Sequence, residues 1–482
     1  MTSLAAIADA LRRAGLLVRA PATLPAITGI TADTRKLTRG MLFCAVQGSV
    51  ADGHRFLGQA AERGAAAALV ETEQQLALPQ LVVSDGRRAA AVAAETWFDR
   101  PAEKLALVGV TGTNGKSTTV TLARHVLSVL RPMGSIGTLG AFGPDGRPVE
   151  SEAGNLTTPG PIDLQATFAA LVAAGARGAA MEVSSHSLDQ GRVDGLVFKT
   201  AIFTNLTRDH LDYHKTFEAY FAAKSKLSSH LAPDGAEVVN ADDPAWQALP
   251  GGHRRVTFGE QAGDVRARDV TLDASGARFE LVTPVGAARV RLPLLGRFNV
   301  ANALGVAAAA VSEGMTPAAV AERLASAPQV PGRMERIATR PVAILRDYAH
   351  TPDALERALE ALRPLTPGRV IAVFGAGGDR DRGKRAPMGA AVARLADIAI
   401  ATSDNPRTED PARILDDVEQ GMQGKPHRRE VDRRKAIALA LELAREGDTI
   451  ILAGKGHETY QVIRTDKQPF DERDIVHELG AT

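Results

Sequence analysis

The chain has 482 residues, 45% hydrophobic and 23% charged, an ordinary globular balance that excludes a disordered chain or a small disulfide-stapled scaffold. Lys and Arg (57) against Asp and Glu (56) leave a formal charge of +1, which excludes the clustered cationic footprint of a dedicated nucleic-acid binder. One cysteine, Cys44, has no partner for an internal disulfide, so a core position and a cytoplasmic setting are expected. No stretch approaches the ~20 apolar residues of a membrane span, and at ~150 residues per domain the length predicts about three domains.

Leu4, Ile7, Leu11 and Leu16, interrupted by Asp9, Arg12 and Arg13, predict an amphipathic N-terminal helix rather than a signal peptide. Short apolar runs at 40–46, 65–70 and 81–83 predict strands. Residues 105–110 form a continuous apolar run of strand length, expected to be buried on both faces, and 119–130 read as a helix. Further strands are predicted at 370–374, 397–401 and 449–452, separated by helical stretches. Strands alternating with helices give the fold class as α/β, with parallel sheets and right-handed crossovers. Breaks at Pro101 and at Pro331-Gly332 predict domains at 1–101, 102–332 and 333–482.

The sharpest motif is Gly109-Val-Thr-Gly-Thr-Asn-Gly-Lys-Ser-Thr118, between a predicted strand and a predicted helix. That is the context a phosphate loop needs: glycines let backbone N–H groups face an anion, and the helix N-terminus adds partial positive charge. Gly112, Thr113, Asn114, Gly115 and Thr118 build the loop, Lys116 reaches the terminal phosphates, and Ser117 ligates Mg²⁺. The strict pattern has glycine where Val110 stands. No Asn-Lys pair is present, so the guanine-reading signature is missing and ATP is favoured.

Glu182 ends an apolar run and reads as a metal carboxylate or a plain strand-end charge. His210 and His214 stand four apart, but Leu211 follows the first histidine where a zinc protease has glutamate, so zinc is rejected. His210 reads as a magnesium ligand or a phosphate contact. Lys224 reads as a lysine on a helix, and nothing in its spacing promotes it further.

Thr111 to Thr118, Met-Glu-Val-Ser-Ser-His (181–186), Thr-Asn-Leu-Thr-Arg-Asp-His-Leu-Asp-Tyr-His (204–214) and Ala-Ala-Lys (222–224) together resemble the Mur ligase family, the ATP-dependent amide-forming enzymes of the peptidoglycan stem peptide. The likeness continues through Asp33-Thr-Arg35, Phe298 to Asn302, Gly332-Arg-Met-Glu335 and Asp347 to Pro352. It implies a small N-terminal α/β domain for a UDP-sugar, a central ATP-binding sheet and a C-terminal Rossmann-like domain for the incoming amino acid. Asp404-Asn-Pro-Arg407 and Gly454-Lys-Gly-His-Glu458 resemble members that add meso-diaminopimelate. Arg407 suits its extra carboxylate with a two-pronged, charge-assisted grip. Other acceptors, lysine or a folylpolyglutamate, are the alternative.

The resemblance further implies two Mg²⁺ ions, with Glu182, His210 and Lys224 as ligands, the lysine as a CO₂-derived carbamate. It implies nucleotide contacts at Asn205, Asn302, Arg333 and Asp347. Contacts to a UDP-muramoyl-dipeptide are implied at Thr34, Thr157, Thr158, Ser184, Gln190 and Arg192, with threonine at 34 where the family more often has serine. A diaminopimelate pocket is implied at Arg385, Asp404, Asn405, Pro406, Arg407, Gly454 and Glu458. The expected reaction converts the D-glutamate γ-carboxylate of UDP-N-acetylmuramoyl-L-Ala-D-Glu to an acyl phosphate, which the diaminopimelate amine attacks. A cytoplasmic monomer is expected, without nucleic-acid or membrane partners.

Overall fold

The amphipathic N-terminus forms helix Leu4–Arg13 in the computed structural model, which describes residues 3–48, 51–150 and 156–482. Ser3 caps this helix by accepting from the Ala6 N–H at 3.2 Å, satisfying one of the donors a helix start leaves open. Leu4, Ile7, Ala8 and Leu11 face inward, in one apolar cluster with Leu42, Cys44, Leu69 and Leu81. Cys44 is fully buried, as expected, and burial pushes its thiol up to about 12.

The chain divides into two compact units, Met1–Arg266 with Val282–Ala287 and Ala301–Val320, and Ala267–Leu281 with Ala288–Val300 and Ala321–Thr482. Among the described residues, no helix is long and apolar enough to cross a membrane.

The first unit carries a five-stranded sheet in the order Leu17–Arg19, Gln80–Val83, Ala67–Val70, Leu42–Cys44, Ile30–Thr31. It also carries the parallel body of a second sheet. There Ala106–Thr111 lies between Gly178–Glu182 and Phe198–Phe203. Val110 stands opposite Glu182, and Thr111 opposite Phe203. Three neighbouring strands therefore end at one edge and deliver the phosphate loop, Glu182 and Thr204-Asn205 side by side. Both faces of Gly178–Glu182 are buried, which is why these strands read as continuous apolar runs instead of alternating ones.

The second unit holds a sheet in the order Glu335–Ala338, Ala343–Asp347, Thr449–Ala453, Val370–Phe374, Ile398–Ala401, Arg428–Arg429. Ala453 pairs with both Asp347 and Phe374, and Phe374 with Ala401. The segments after these strands, including 402–407 and 454–458, leave one edge together. Separate apolar clusters, around Phe374, Met388 and Leu415 and around Ile371, Ile437 and Val476, cover its two faces.

The sheets are not wholly parallel. Leu17–Arg19 runs antiparallel to Gln80–Val83, Met133–Gly137 to Gly140–Phe142, and Glu335–Ala338 to Ala343–Asp347. The second pair is joined by Thr138 and Leu139 alone, a link too short for the crossover that parallel strands require.

Candidate active site

In the first unit the phosphate loop is shaped by what a side chain would strike. Gly112 has φ 146°, and a Cβ there would lie 1.9 Å from Thr204 Oγ1; at Gly115, φ 85°, it would lie 2.3 Å from Asn302 Oδ1. Glycine alone fits both places. Asn205 braces the loop: its backbone carbonyl accepts from the Thr113 N–H at 2.7 Å, its Oδ1 from the Asn114 N–H at 3.0 Å, and its Nδ2 donates to Asn114 O at 3.1 Å. Asn302, expected near the nucleotide base, stands against this loop, with Thr119 Oγ1 donating to its Oδ1 at 3.5 Å.

Two lysines converge on one carbonyl. Lys116 Nζ donates to Gly112 O at 3.0 Å and Thr113 O at 2.8 Å, and Lys224 Nζ donates to Gly112 O at 2.7 Å. Lys224 is 1% exposed and lies 4.7 Å over the Tyr220 ring. Burial first, and the Lys116 charge second, hold its pKa well below the ordinary lysine range. The Tyr220 hydroxyl is 3.1 Å from Thr113 Oγ1, and burial raises its pKa. Helix Phe217–Ser225 sets Tyr220 and Lys224 four residues apart, on one face.

Glu182, 2% exposed, accepts through Oε1 from Ser117 Oγ at 2.8 Å and from the Thr138 N–H at 2.9 Å. A polar chain leads away from it. Thr158 Oγ1 donates to Glu182 O at 2.9 Å and accepts from the Ser184 N–H at 3.1 Å. Arg192 donates to Thr158 O at 3.0 Å and to Gln190 Oε1 at 2.6 Å, and Gln190 donates to the Tyr213 hydroxyl at 3.2 Å. Thr138 Oγ1 donates to Thr157 Oγ1 at 3.1 Å. Five of the six residues expected around the dipeptide thus form one network. Thr34 does not join it; its carbonyl accepts from Arg63 at 2.6 Å. Beside Gln190 a cavity of about 360 Å³ is lined by Arg87, Arg88, Lys226 and His230 among others.

His210 has φ 52°, lies with Nε2 3.5 Å from Asp209 and packs 4.9 Å from the His186 ring. Burial lowers its pKa, and the charges of Lys116 and Lys224 lower it further against the opposing pull of Asp209. His186 falls to about 4, chiefly through burial and then through His210 and His214. Among the described residues no group of three or more His, Cys, Asp and Glu could hold a metal ion.

In the second unit Asp347 accepts from the N–H groups of Met334 at 2.7 Å and Ala349 at 2.8 Å, and burial raises its pKa. The Arg333 guanidinium lies 4.6 Å over the Tyr348 ring. In the same unit Asn405 Nδ2 donates to Glu458 Oε2 at 2.8 Å. Arg407, φ 51°, donates to Gly378 O at 2.7 Å. A Cβ on Gly454 would stand 3.2 Å from Asp404 Oδ2, so Asp404, Asn405, Pro406, Arg407, Gly454 and Glu458 are gathered in one place.

Arg385 departs from expectation. It is 0% exposed, and its guanidinium is held by Glu409 at 2.8 Å and Asp417 at 2.9 Å. Two carboxylates later in the chain claim it, so in this structure its guanidinium is taken up by internal ion pairs instead of facing a pocket. Sequence reasoning also missed Thr138, Tyr220 and Lys455. Tyr220 had a signal, its i, i+4 spacing from Lys224; Thr138 had none.

The first unit is a nucleotide-phosphate site: a glycine loop at the carboxyl ends of parallel strands, two lysines and a hydroxyl–carboxylate pair. Three family descriptions match the chain: Mur ligase family, catalytic domain, over residues 26–107; Mur ligase middle domain, over 110–310; and Mur ligase, glutamate ligase domain, over 332–456. A Gloeobacter violaceus protein named UDP-N-acetylmuramoyl-L-alanyl-D-glutamate–2,6-diaminopimelate ligase is 44% identical over 460 residues, covering 94% of this chain and 93% of its own. A Geobacillus kaustophilus protein of the same name is 43% identical over 468 residues, covering 94% of each chain. A solved structure of a ligase so named is 34% identical, with a TM-score of 0.66 over 99% of both chains. The chain belongs to the Mur ligase family. It is an ATP-dependent ligase with that family's three-domain α/β architecture.

Proposed function

We propose that this chain adds meso-diaminopimelate to the γ-carboxylate of D-glutamate in UDP-N-acetylmuramoyl-L-Ala-D-Glu, at the expense of ATP. The observation that carries the reading is the meeting of Lys116, Lys224 and the Ser117–Glu182 pair at one strand edge, backed by the names of the full-length relatives. The three working parts are residues 1–101, 102–332 and 333–482, and the enzyme acts as a cytoplasmic monomer.

Magnesium suits the donor set. Ser117 Oγ and Glu182 Oε1, 2.8 Å apart, are hard oxygens at the phosphate loop, and Mg²⁺ keeps waters and phosphate oxygens instead of demanding an all-protein cage. Two ions would be held by Ser117, Glu182, His210 and Lys224. When bound they neutralise charge on the transferred phosphoryl group. Mg²⁺ prefers oxygen donors, so Lys224 suits the set as a carbamate. Its depressed pKa favours the neutral amine, whose nitrogen attacks the carbon of CO₂ and loses one proton to give a carbamate.

A carboxylate resists amines because oxide would have to leave, so its oxygen first attacks the γ-phosphorus of ATP and releases ADP. Lys116 exchanges its neutral carbonyl acceptors for the phosphate and stabilises the charge that develops there. Asn205 keeps the loop N–H groups in register, while Arg333 and Asp347 hold the base and ribose. Thr157, Thr158, Ser184, Gln190 and Arg192 hold the dipeptide, with Thr34 on the uridine side. Asp404, Asn405, Pro406, Arg407, Gly454 and Glu458 orient diaminopimelate, whose amine attacks the acyl carbon and expels phosphate. The test is ADP release with each substrate omitted in turn. The reading expects release to require the UDP-dipeptide and diaminopimelate together; equal release from ATP alone overturns it.

A further inference from the structure

Lys455 is 0% exposed, yet nothing in the reaction described so far uses it. It follows Gly454, directly after strand Thr449–Ala453. Its Nζ donates to Asn405 Oδ1 and to Glu458 Oε2, each at 3.2 Å, lies 3.8 Å from Asp404 Oδ1, and stands 5.8 Å from the centre of the Tyr460 ring. One ammonium is thus the hub of three residues gathered for the incoming amino acid.

Stability gives little reason for a buried lysine here. Desolvating an ion pair costs about what the pair returns, and an apolar replacement of similar volume is often neutral or better. The arrangement has two other consequences. Asn405 Oδ1 accepts from both Lys455 and the Val462 N–H, the latter at 2.9 Å, so the amide must turn Nδ2 toward Glu458. Both donations to Glu458 then fall on Oε2, which leaves Oε1 for a ligand. The charges matter too. Asp404 and Glu458 against Lys455 leave one surplus negative charge, and Arg407, whose N–H donates to Val462 O, adds a cation on the same loop. A zwitterionic amino-acid terminus, ammonium and carboxylate on one carbon, needs that pair of signs.

We propose that Lys455 is a positioning and specificity residue for the amino-acid substrate: it fixes Glu458 and Asn405 and cancels one of two carboxylates, so that the pocket accepts an ammonium beside the carboxylate taken by Arg407. The inference rests on the diaminopimelate reading above.

The experiment is steady-state kinetics of K455M and K455R at saturating UDP-dipeptide. KM for diaminopimelate and for ATP are measured separately, together with the thermal midpoint. For K455M the diaminopimelate KM is expected to rise roughly thirtyfold or more, the low end of what removing one partner from a buried charge pair costs, with the ATP KM within about twofold. E458Q introduced into K455M should add less than it costs alone, because both changes strike the same contact. K455R keeps the cation and guards against a variant that fails to fold. Its planar fork displaces Glu458, so its diaminopimelate KM should also rise, by less than for K455M. A lowered thermal midpoint with the diaminopimelate KM unchanged in the folded variants would mean a purely structural lysine and overturn the inference. A parent enzyme that turns over no diaminopimelate overturns the acceptor reading itself, and the two failures are distinguished by measuring the parent first.

Discussion

The phosphate loop and the amino-acid pocket solve recognition in opposite ways. At the loop, the Lys116 ammonium rests on the backbone carbonyls of Gly112 and Thr113, neutral acceptors that an incoming phosphate outcompetes. In the pocket the ion is already paired side chain to side chain, Lys455 with Glu458 at 3.2 Å; behind the pocket loop, Arg385 is likewise paired with Glu409 at 2.8 Å. The loop must accept a polyanion and release ADP at every turnover, so its cation is held loosely. The pocket must tell one amino acid from close analogues, so its groups are fixed before the ligand arrives, which lowers the cost of ordering them on binding. Arg407 shares the loop's habit, resting on Gly378 O at 2.7 Å, and that suits a group meant to change partners for a substrate carboxylate.

The largest effect is expected at the loop. K116A should cost about a hundredfold to a thousandfold in kcat, the scale of removing one preorganised charge donor, with the diaminopimelate KM nearly unchanged; rapid-quench measurement of ADP formation checks this. A rise confined to the diaminopimelate KM would break the contrast between the two regions. Next comes R407A, which should erode the preference for diaminopimelate over lysine by about a hundredfold, since the gain comes from pairing the extra carboxylate. Competition between the two amino acids, read by mass spectrometry of the products, measures it, and unchanged selectivity counts against this pocket.

The smallest effect tests the ion pair behind the pocket loop. The Arg385 guanidinium, helped by the Asp379 N–H and Arg382 against the opposing effect of burial, holds the Glu409 carboxyl at about 2, below the ordinary 4.5. A carboxylate whose pKa is lowered by folding adds stability above pH ~4.5 and loses it as pH falls toward ~2. Glu409→Gln should remove that dependence, a change on the order of 1 kcal/mol after solvent screening. Urea midpoints at pH 5 and pH 3, followed by hydrogen exchange of residues 385–417, report it. Equal acid sensitivity in parent and variant would show that the pair contributes nothing.

The same contrast explains what was legible beforehand. The phosphate loop could be read because its parts are consecutive, and strand and helix flank it at Ala106–Thr111 and Lys116–Leu127. The buried strands at 370–374 and 449–453 were legible for a similar reason, since burial on both faces leaves an unbroken apolar run. Lys455 was passed over because Asn405, the amide it orients, stands 50 residues away, and only Glu458 lies within its own motif. Arg385 misled for the same reason: Glu409 and Asp417 lie 24 and 32 residues on, and only the fold brings them to it. Lys224 carried no signal beyond the motif around it, because its burial beside Gly112 is a tertiary fact.

The central claim is that the carboxylate is activated as an acyl phosphate before the amine attacks. It is tested most directly with UDP-dipeptide carrying ¹⁸O in the γ-carboxylate of D-glutamate, by mass analysis of the phosphate released on turnover with ATP and diaminopimelate. The account predicts one ¹⁸O atom in each phosphate, because the oxygen that attacked the γ-phosphorus leaves with it. Phosphate free of ¹⁸O alongside a completed amide would contradict it.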